Sequence, residues 1–515
     1  MSRAGFVFAR EGALGAIDTS RLPFGASAAL ALARLIERPV KPAGNRVAAA
    51  LTRLGPTYVK LGQFLATRPD VVGVALAQDL ETLQDRMAPF PQKEAERAVE
   101  LGLGKPLHEV FASFGPAIAA ASIAQVHRAE VEFNGTRRPV AVKVLRPGIE
   151  RRFNAEIDAF AAVARQAERI SGEARRLRLV EVVDTMRRTV ALEMDLRFEG
   201  AAISEMAENT KNDPDFRVPA VDWDRTARDV LTLEWIDAVA LSDRTRLEAK
   251  GFDLQRLARA VLQTFLRHAL RDGFFHADMH PGNLFVDDAG DLVAVDFGIM
   301  GRLGPRERRF LAEILYGFIT RNYWRTAEVH FEAGYVPPHH SVASFAQALR
   351  AIGEPIHNRS AEDISMARLF MLLFEITGLF DMRTRTELLL LQKTMVVVEG
   401  VARSLDPKLD IWATAEPVVR EWIERHLGPL GSLESAAEGM SEIGQVLAQL
   451  PGLLTRAAAL TAQLDAITRD GLVLAPETVA QIGRAEARRN RASTIALWVL
   501  VALLAWLVLT ARSLL

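Results

Sequence analysis

Hydrophobic and polar positions divide this chain into helical, β-rich and purely apolar stretches. Residues 26–52 follow a helical pattern interrupted near Pro39, Pro42 and Gly44. Gly55-Pro56 opens a second helix over about 57–67, and QKEAERAVELGLG (92–104) is a third that stops at glycine. SIAQVHRAEVEF and RRPVAVKVL are then alternating or β-rich runs joined through Asn134-Gly135, a strong two-residue hairpin signal. Two long helical stretches, about 149–171 and 177–208, precede further strand-like runs at 217–221 and 228–236. The pattern over 116–236 therefore predicts a small antiparallel sheet with inserted helices. Helical periodicity returns at 253–273 and from 306 onward, and the Ala- and Leu-rich stretch 432–484 reads as a helical connector.

The last segment has no polar face. Ala492–Ala511 is 20 residues without a charge, about 30 Å as a helix, which matches a bilayer core. Arg484, Arg488, Arg489 and Arg491 precede it and only Arg512 follows, so the positive-inside rule puts the bulk of the chain in the cytoplasm, behind a single C-terminal anchor in the inner membrane.

Composition narrows the function classes. The 63 Lys and Arg residues balance 64 Asp and Glu, leaving no global field for nucleic acid. With no cysteine, disulfides, thiolate catalysis and cysteine metal sites are excluded. The first 25 residues do not read as a signal peptide, because Arg10 and Glu11 interrupt the apolar run.

The chemistry concentrates in HADMHPGNLFVDDAGDLVAVDFG, residues 276–298. Asp278 stands five residues before Asn283, and Asp-Phe-Gly occupies 296–298. Phosphoryl transfer needs a carboxylate near the nucleophile and oxygen ligands for Mg²⁺ on the phosphates, which protein kinases supply in this order. LFVDD and DLVAVDF flank an Asp288-Ala289-Gly290 turn, so a hairpin there would bring Asn283 and Asp296 together. A polar surface loop and a metallohydrolase, with His276, Asp278 and His280 as ligands, are the competing readings. Neither explains Asn283 and Asp296.

The remaining parts of a nucleotide site lie upstream. Lys143 sits mid-strand in VAVKVL, where it would meet the α- and β-phosphates of ATP. PAIAAASIAQVH (116–127) is a small-residue loop in which Ala119, Ala120, Ala121 and Ala124 replace the usual glycines, and Ser122 offers a hydroxyl to a phosphate. Glu193, Asp195 and Glu199 share a helical window; Asp195 and Glu199 fall one turn apart on one face, and Glu199 is the expected partner of Lys143. Glu234 to Ile236 leave the small lobe and could offer backbone groups to an adenine.

With these parts the chain resembles the UbiB family of atypical, protein-kinase-like proteins linked to ubiquinone biosynthesis. Lys60-Leu61-Gly62-Gln63 matches the K-x-G-Q motif, Leu83-Gln84-Asp85 the L-Q-D, AAASIAQVH the Ala-rich loop and Glu193-Met194-Asp195 the E-x-D. The likeness covers roughly 50–305, and Ala124 stands where many relatives carry Gly. It implies an α+β, two-lobed kinase-like fold: an N-terminal helical extension (1–104), an N-lobe (105–240), a helical C-lobe (241–430), a connector (431–491) and a transmembrane helix (492–511). By the same likeness the extension covers the cleft, Lys60, Gln63, Glu193 and Asp195 gate it, and Glu193 faces Lys60. Asp278 would be the base, Asn283 and Asp296 the Mg²⁺ ligands, and Lys143 with Glu199 the phosphate-orienting pair. After Asp-Phe-Gly a helix begins within about ten residues, with no room for a long activation loop, so a protein substrate is not expected. Lipid quinone intermediates or membrane lipids, and other ubiquinone-biosynthesis proteins, are the implied partners. A small-molecule phosphotransferase and a non-catalytic nucleotide-sensing scaffold remain the alternatives.

Overall fold

Strand β2 (Ala124–Phe133) and strand β3 (Thr136–Leu145) pair antiparallel around Asn134-Gly135, whose φ angles of +51° and +74° are those of a two-residue primed turn. In this computed structural model, residues 2–13, 46–66, 68–81, 83, 87–357, 376, 378–382 and 386–427 are described. Strand β1 (Ser113–Ala120) pairs with β2, and β5 (Val230–Glu234) with β3, giving a four-stranded antiparallel sheet in the order β1-β2-β3-β5. Strand alternation then sorts the side chains. Val140, Val142 and Val144 bury against Phe90, Ala95 and Val99 of the segment and helix that cover one face. Lys143 points to the other face, shared with Leu231 and Leu233, on which the helix Leu196–Asn209 lies.

The strand-like run at 217–221 divides between two sheets: its start joins a second sheet, while Val221 bridges Leu233 of β5. Only β4 (Phe216–Arg217) is strand; it runs parallel to β9 (Leu292–Ala294), and Pro219 cannot extend a ladder because it lacks an N–H. Strand β8 (Leu284–Asp287) lies between β9 and β6 (Ala238–Ala240), completing the order β4-β9-β8-β6. The region 116–236 is thus split between two sheets. A short pair, β7 (Phe274–His276) with β10 (Met300–Arg302), brackets the motif region.

Helices Ile149–Ile170 and Leu179–Glu193 pack together through Phe153, Ile157, Val183, Met186 and Val190. The expected continuous helix over 177–208 is interrupted: Met194 and Asp195 leave helical geometry, and Asp195 (φ −125°, ψ 96°) caps the helix Leu196–Asn209. The helix Leu254–Arg267 continues through a π-helical turn, His268–Asp272, and ends at Gly273. Helices Pro305–Ile319, Tyr323–Glu332, Val342–His357, Thr386–Leu405 and Ile411–Leu427 follow. The described residues as far as Glu424 fall in one compact unit. Among the described residues no helix is long and apolar enough to cross a membrane. The anchor expected at 492–511, the connector at 432–484, the helical pattern at 26–45 and Gln84-Asp85 all lie outside the described residues.

Candidate active site

The β8–β9 hairpin sets the geometry. Val295 N–H donates to the Asn283 carbonyl at 2.9 Å, so Asn283 and Asp296 leave the hairpin from adjacent positions. Asn283 Nδ2 donates to the Asp278 carbonyl (3.1 Å) and to Asp278 Oδ2 (3.3 Å), drawing the third motif residue to the same place. His276 locks this arrangement. Its Nδ1 accepts the Asp278 N–H at 3.0 Å, so Nε2 carries the proton toward the Val295 carbonyl at 3.2 Å. Burial lowers the imidazole pKa, and the ring is a neutral brace between the two halves of the motif. Thr394 Oγ1, from the helix Thr386–Leu405, donates to the Ala277 carbonyl at 3.0 Å; nothing local in the sequence announces that contact.

Asp296 has a φ of +63°, in the left-handed region that side chains other than Asn and Asp rarely adopt. Such an outlier persists where surrounding structure holds it. Here Lys143 does so: its ammonium lies 2.8 Å from Glu199 Oε1 and 2.9 Å from Asp296 Oδ1. Burial opposes the Lys143 charge, but Asp296 and Glu199 outweigh it and raise the Lys143 pKa. The same ammonium holds the Asp296 carboxyl down to about 2. Burial pushes the Glu199 carboxyl up while Lys143 pulls against it. The Asp296 side chain is about half exposed (51%), so it is the accessible end of the trio. Lys143 engages Asp296 through Oδ1, and Asn283 commits its Nδ2 to Asp278, which leaves oxygens of both residues for a cation. An all-oxygen donor set with few protein ligands fits Mg²⁺.

The Ala-rich segment is a strand–turn–strand and not a loop. Ala119 and Ala120 end β1, Ala121 N–H donates to the Ala124 carbonyl at 2.8 Å across the turn, and Ala124 begins β2. Ala119, Ala120 and Ala121 keep solvent-accessible surface, whereas Ala124 is fully buried. Ser122 is also fully buried, which removes its hydroxyl from the expected phosphate role in this conformation. Gln125 and His127, from the same motif, are structural. Gln125 Oε1 accepts the Phe90 N–H at 2.9 Å, while its Nε2 meets His127 Nε2 at 2.9 Å. His127 Nδ1 then donates to the Gly115 carbonyl, and Met87 N–H to the Ala120 carbonyl, so residues 87–90 form a strap along the turn.

The helix Pro56–Ala66 carries K-x-G-Q. Lys60 Nζ is 2.7 Å from Glu193 Oε2, and both side chains are about nine-tenths buried. The Lys60 charge adds a little to what holds the Asp296 carboxyl down, after the larger effect of Lys143. Gln63, one turn on and partly buried, lies on the same face as Lys60. Asp195 departs from the expected gating group: its carboxylate takes the Arg197 backbone N–H at 3.2 Å and the Arg197 guanidinium at 2.6 Å, because it is a helix cap. Gly62 has a packing role, since a Cβ there would lie 2.3 Å from Leu83 Cδ1 and 2.8 Å from Leu51 Cδ1. Gly62→Ala is expected to destabilise the chain by about 1–3 kcal/mol, as overpacking does, measured by denaturant unfolding. An unchanged midpoint would mean the two leucines simply rotate away.

At the exit from β5, the Glu234 N–H is taken by the Ala220 carbonyl at 2.8 Å, and its carboxylate by Arg217 and the Ala220 N–H. Arg217 also reaches Asp287 at 3.0 Å, tying this exit to β8. Ile236 is partly buried.

Comparison with known proteins gives the family. Residues 82–330 match the ABC1 atypical kinase-like domain, and residues 349–410 match the UbiB helical domain. A protein named probable protein kinase UbiB from Marinobacter nauticus is 40% identical over 406 residues, 78% of this chain and 74% of that one. The chain belongs to the UbiB family. UbiB proteins of the same name from Xanthomonas axonopodis pv. citri (39% over 420 residues, 80% of this chain and 75% of that one) and Azotobacter vinelandii (38% over 417 residues, 79% and 77%) are similar. The solved Rv3197–erythromycin complex from Mycobacterium tuberculosis aligns at 25% identity and a TM-score of 0.48, over 76% of this chain and 98% of that one. The ABC1 atypical kinase-like domain takes in the four-stranded sheet and the segment that carries Asp278, Asn283 and Asp296. The UbiB helical domain takes in the helix that bears Thr394, the brace of the catalytic segment.

Proposed function

We infer that this UbiB-family chain is a Mg²⁺-dependent ATP-binding ATPase or atypical kinase, anchored in the inner membrane by 492–511, which supports ubiquinone biosynthesis by acting on or beside lipid quinone intermediates. The observation that carries the reading is the Lys143 ammonium held between Glu199 and Asp296, with Asn283 and Asp278 bonded to each other alongside. Asn283 and Asp296 would hold Mg²⁺, which neutralises phosphate charge when bound. Lys143 would orient the phosphates, and Glu199 keeps it extended. Asp278 would accept a proton from the attacking hydroxyl or water, or orient it. Ala119 to Ala121 offer the phosphates a backbone surface free of large side chains, and Ile236 an edge for the adenine.

Two features point away from a protein substrate. On this reading the helices joined by the Lys60–Glu193 ion pair would cover the catalytic side, and the short segment that holds β10 is all that separates Gly298 from the helix that begins at Pro305. A peptide-docking platform of ordinary kinase type has no chain from which to form. Quinone profiling of cells in which Asp296→Asn replaces the native protein tests the reading. Ubiquinone is expected to fall and its lipid precursors to accumulate; an unchanged quinone profile removes the pathway assignment.

A further inference from the structure

Away from the cleft, three side chains with metal-binding atoms meet on the helical region. His339 and His340 follow Pro337-Pro338, and Asp381 sits on a turn beside Phe380. Their ligating atoms all lie within 4.8 Å of one another. Both imidazoles approach the same carboxylate oxygen: His340 Nε2 is 3.3 Å from Asp381 Oδ2, and His339 Nε2 is 3.6 Å from it. The second separation is too long for a hydrogen bond. Bonds of about 2.0–2.1 Å around a tetrahedral Zn²⁺ set neighbouring ligand atoms about 3.3–3.4 Å apart, so the His340 separation matches and the His339 one needs only a small inward shift.

The backbone holds the trio in place. The His340 N–H donates to the Pro337 carbonyl, fixing the turn that presents both rings, whose centroids are 4.2 Å apart. The His340 ring also packs on Phe380, which is buried with Tyr323, Phe345 and Ile352. Asp381 adopts a positive φ of 48°, a conformation this residue type tolerates, and it aims the carboxylate at the two rings. Solvent reaches His339 and Asp381, so a metal has an open approach.

We propose that His339, His340 and Asp381 form a zinc site. Two imidazoles and one carboxylate suit Zn²⁺ better than Mg²⁺, which prefers oxygen ligands, and three protein ligands leave a fourth position for water. The ion would clip the 337–340 turn to the 378–382 turn, two segments that no disulfide can join in a chain without cysteine.

Zn²⁺ alone, titrated into the full-length chain against a chromophoric chelator, tests this. The wild type is expected to take up one tight equivalent that His339→Ala/His340→Ala weakens by at least about 100-fold, since changes outside the ligand shell already cost about 10–100-fold. Zn²⁺ should also raise the melting temperature of the wild type and not that of the double variant. If the double variant does not fold, Asp381→Asn, a single change at an exposed site, decides between the same outcomes. No tight equivalent in the wild type, or equal uptake by wild type and variants, overturns the site.

Discussion

Asp296→Asn should lower Mg²⁺-dependent phosphate release from ATP by about 10³-fold while leaving the fold intact. A bound metal supplies several kcal/mol of charge stabilisation, and about 1.4 kcal/mol is worth a factor of ten in rate. An amide oxygen binds Mg²⁺ far more weakly than a carboxylate. The fold survives for two reasons. Lys143 keeps Glu199, its more buried partner, and the half-exposed Asp296 belongs with pairs worth about 0–1 kcal/mol. Asn also tolerates the left-handed backbone at φ +63°. Asp296→Ala has no such tolerance and should add about 1–3 kcal/mol of backbone strain. Steady-state phosphate release and thermal melts of both variants separate these effects. Wild-type turnover in the Asn variant would sink the metal assignment.

The parts of this site that follow from short-range spacing are legible in the sequence. A turn-flanked pair of apolar runs places Asn283 beside Asp296, and the strand period puts Lys143 opposite Val142 and Val144. The pairing of Lys143 with Glu199 spans 56 residues, and the resemblance to UbiB proteins points to it. Where reading failed, tertiary structure had overridden a local pattern. The one glycine of ALEMDLRFEGA, Gly200, lies inside a helix, yet the chain leaves helical geometry earlier, at Met194, where the Leu196 N–H bonds to the Arg228 carbonyl instead. That break turns Asp195 into a cap. Ser122 looked available because small residues surround it, but the turn folds inward and buries it beside Ala124. Thr394 reaches Ala277 across 117 residues, and His340 reaches Asp381 across 41, with no periodicity or motif linking either pair.

Lys143→Ala should make this site more pH-sensitive than it is in the wild type, where burial already pushes the Glu199 carboxyl up. In the wild type, the raised Lys143 pKa means its contribution is fully present below its unfolded value and lost only in strong alkali. Asp296, depressed to about 2, contributes above its unfolded value of about 3.8 and fades as pH falls toward 2. Neither titrates near neutrality. Without the ammonium, Glu199 stays buried facing the Asp296 carboxylate, and both influences raise its pKa with no cation to oppose them. A carboxyl with a raised folded pKa contributes stability below its unfolded value and loses it as pH rises through the folded value. The variant should therefore be about 3–5 kcal/mol less stable than wild type at pH 8, the cost of stranding one member of a buried pair, and recover much of that near pH 5. Adding Glu199→Gln should flatten the dependence, because no buried carboxylate remains to take the proton. Denaturant unfolding at pH 5 and pH 8 reads both variants. Parallel profiles for wild type and Lys143→Ala would show that Lys143 is not what holds the buried Glu199 ionised, and the pairing at the centre of the site would lose its electrostatic basis.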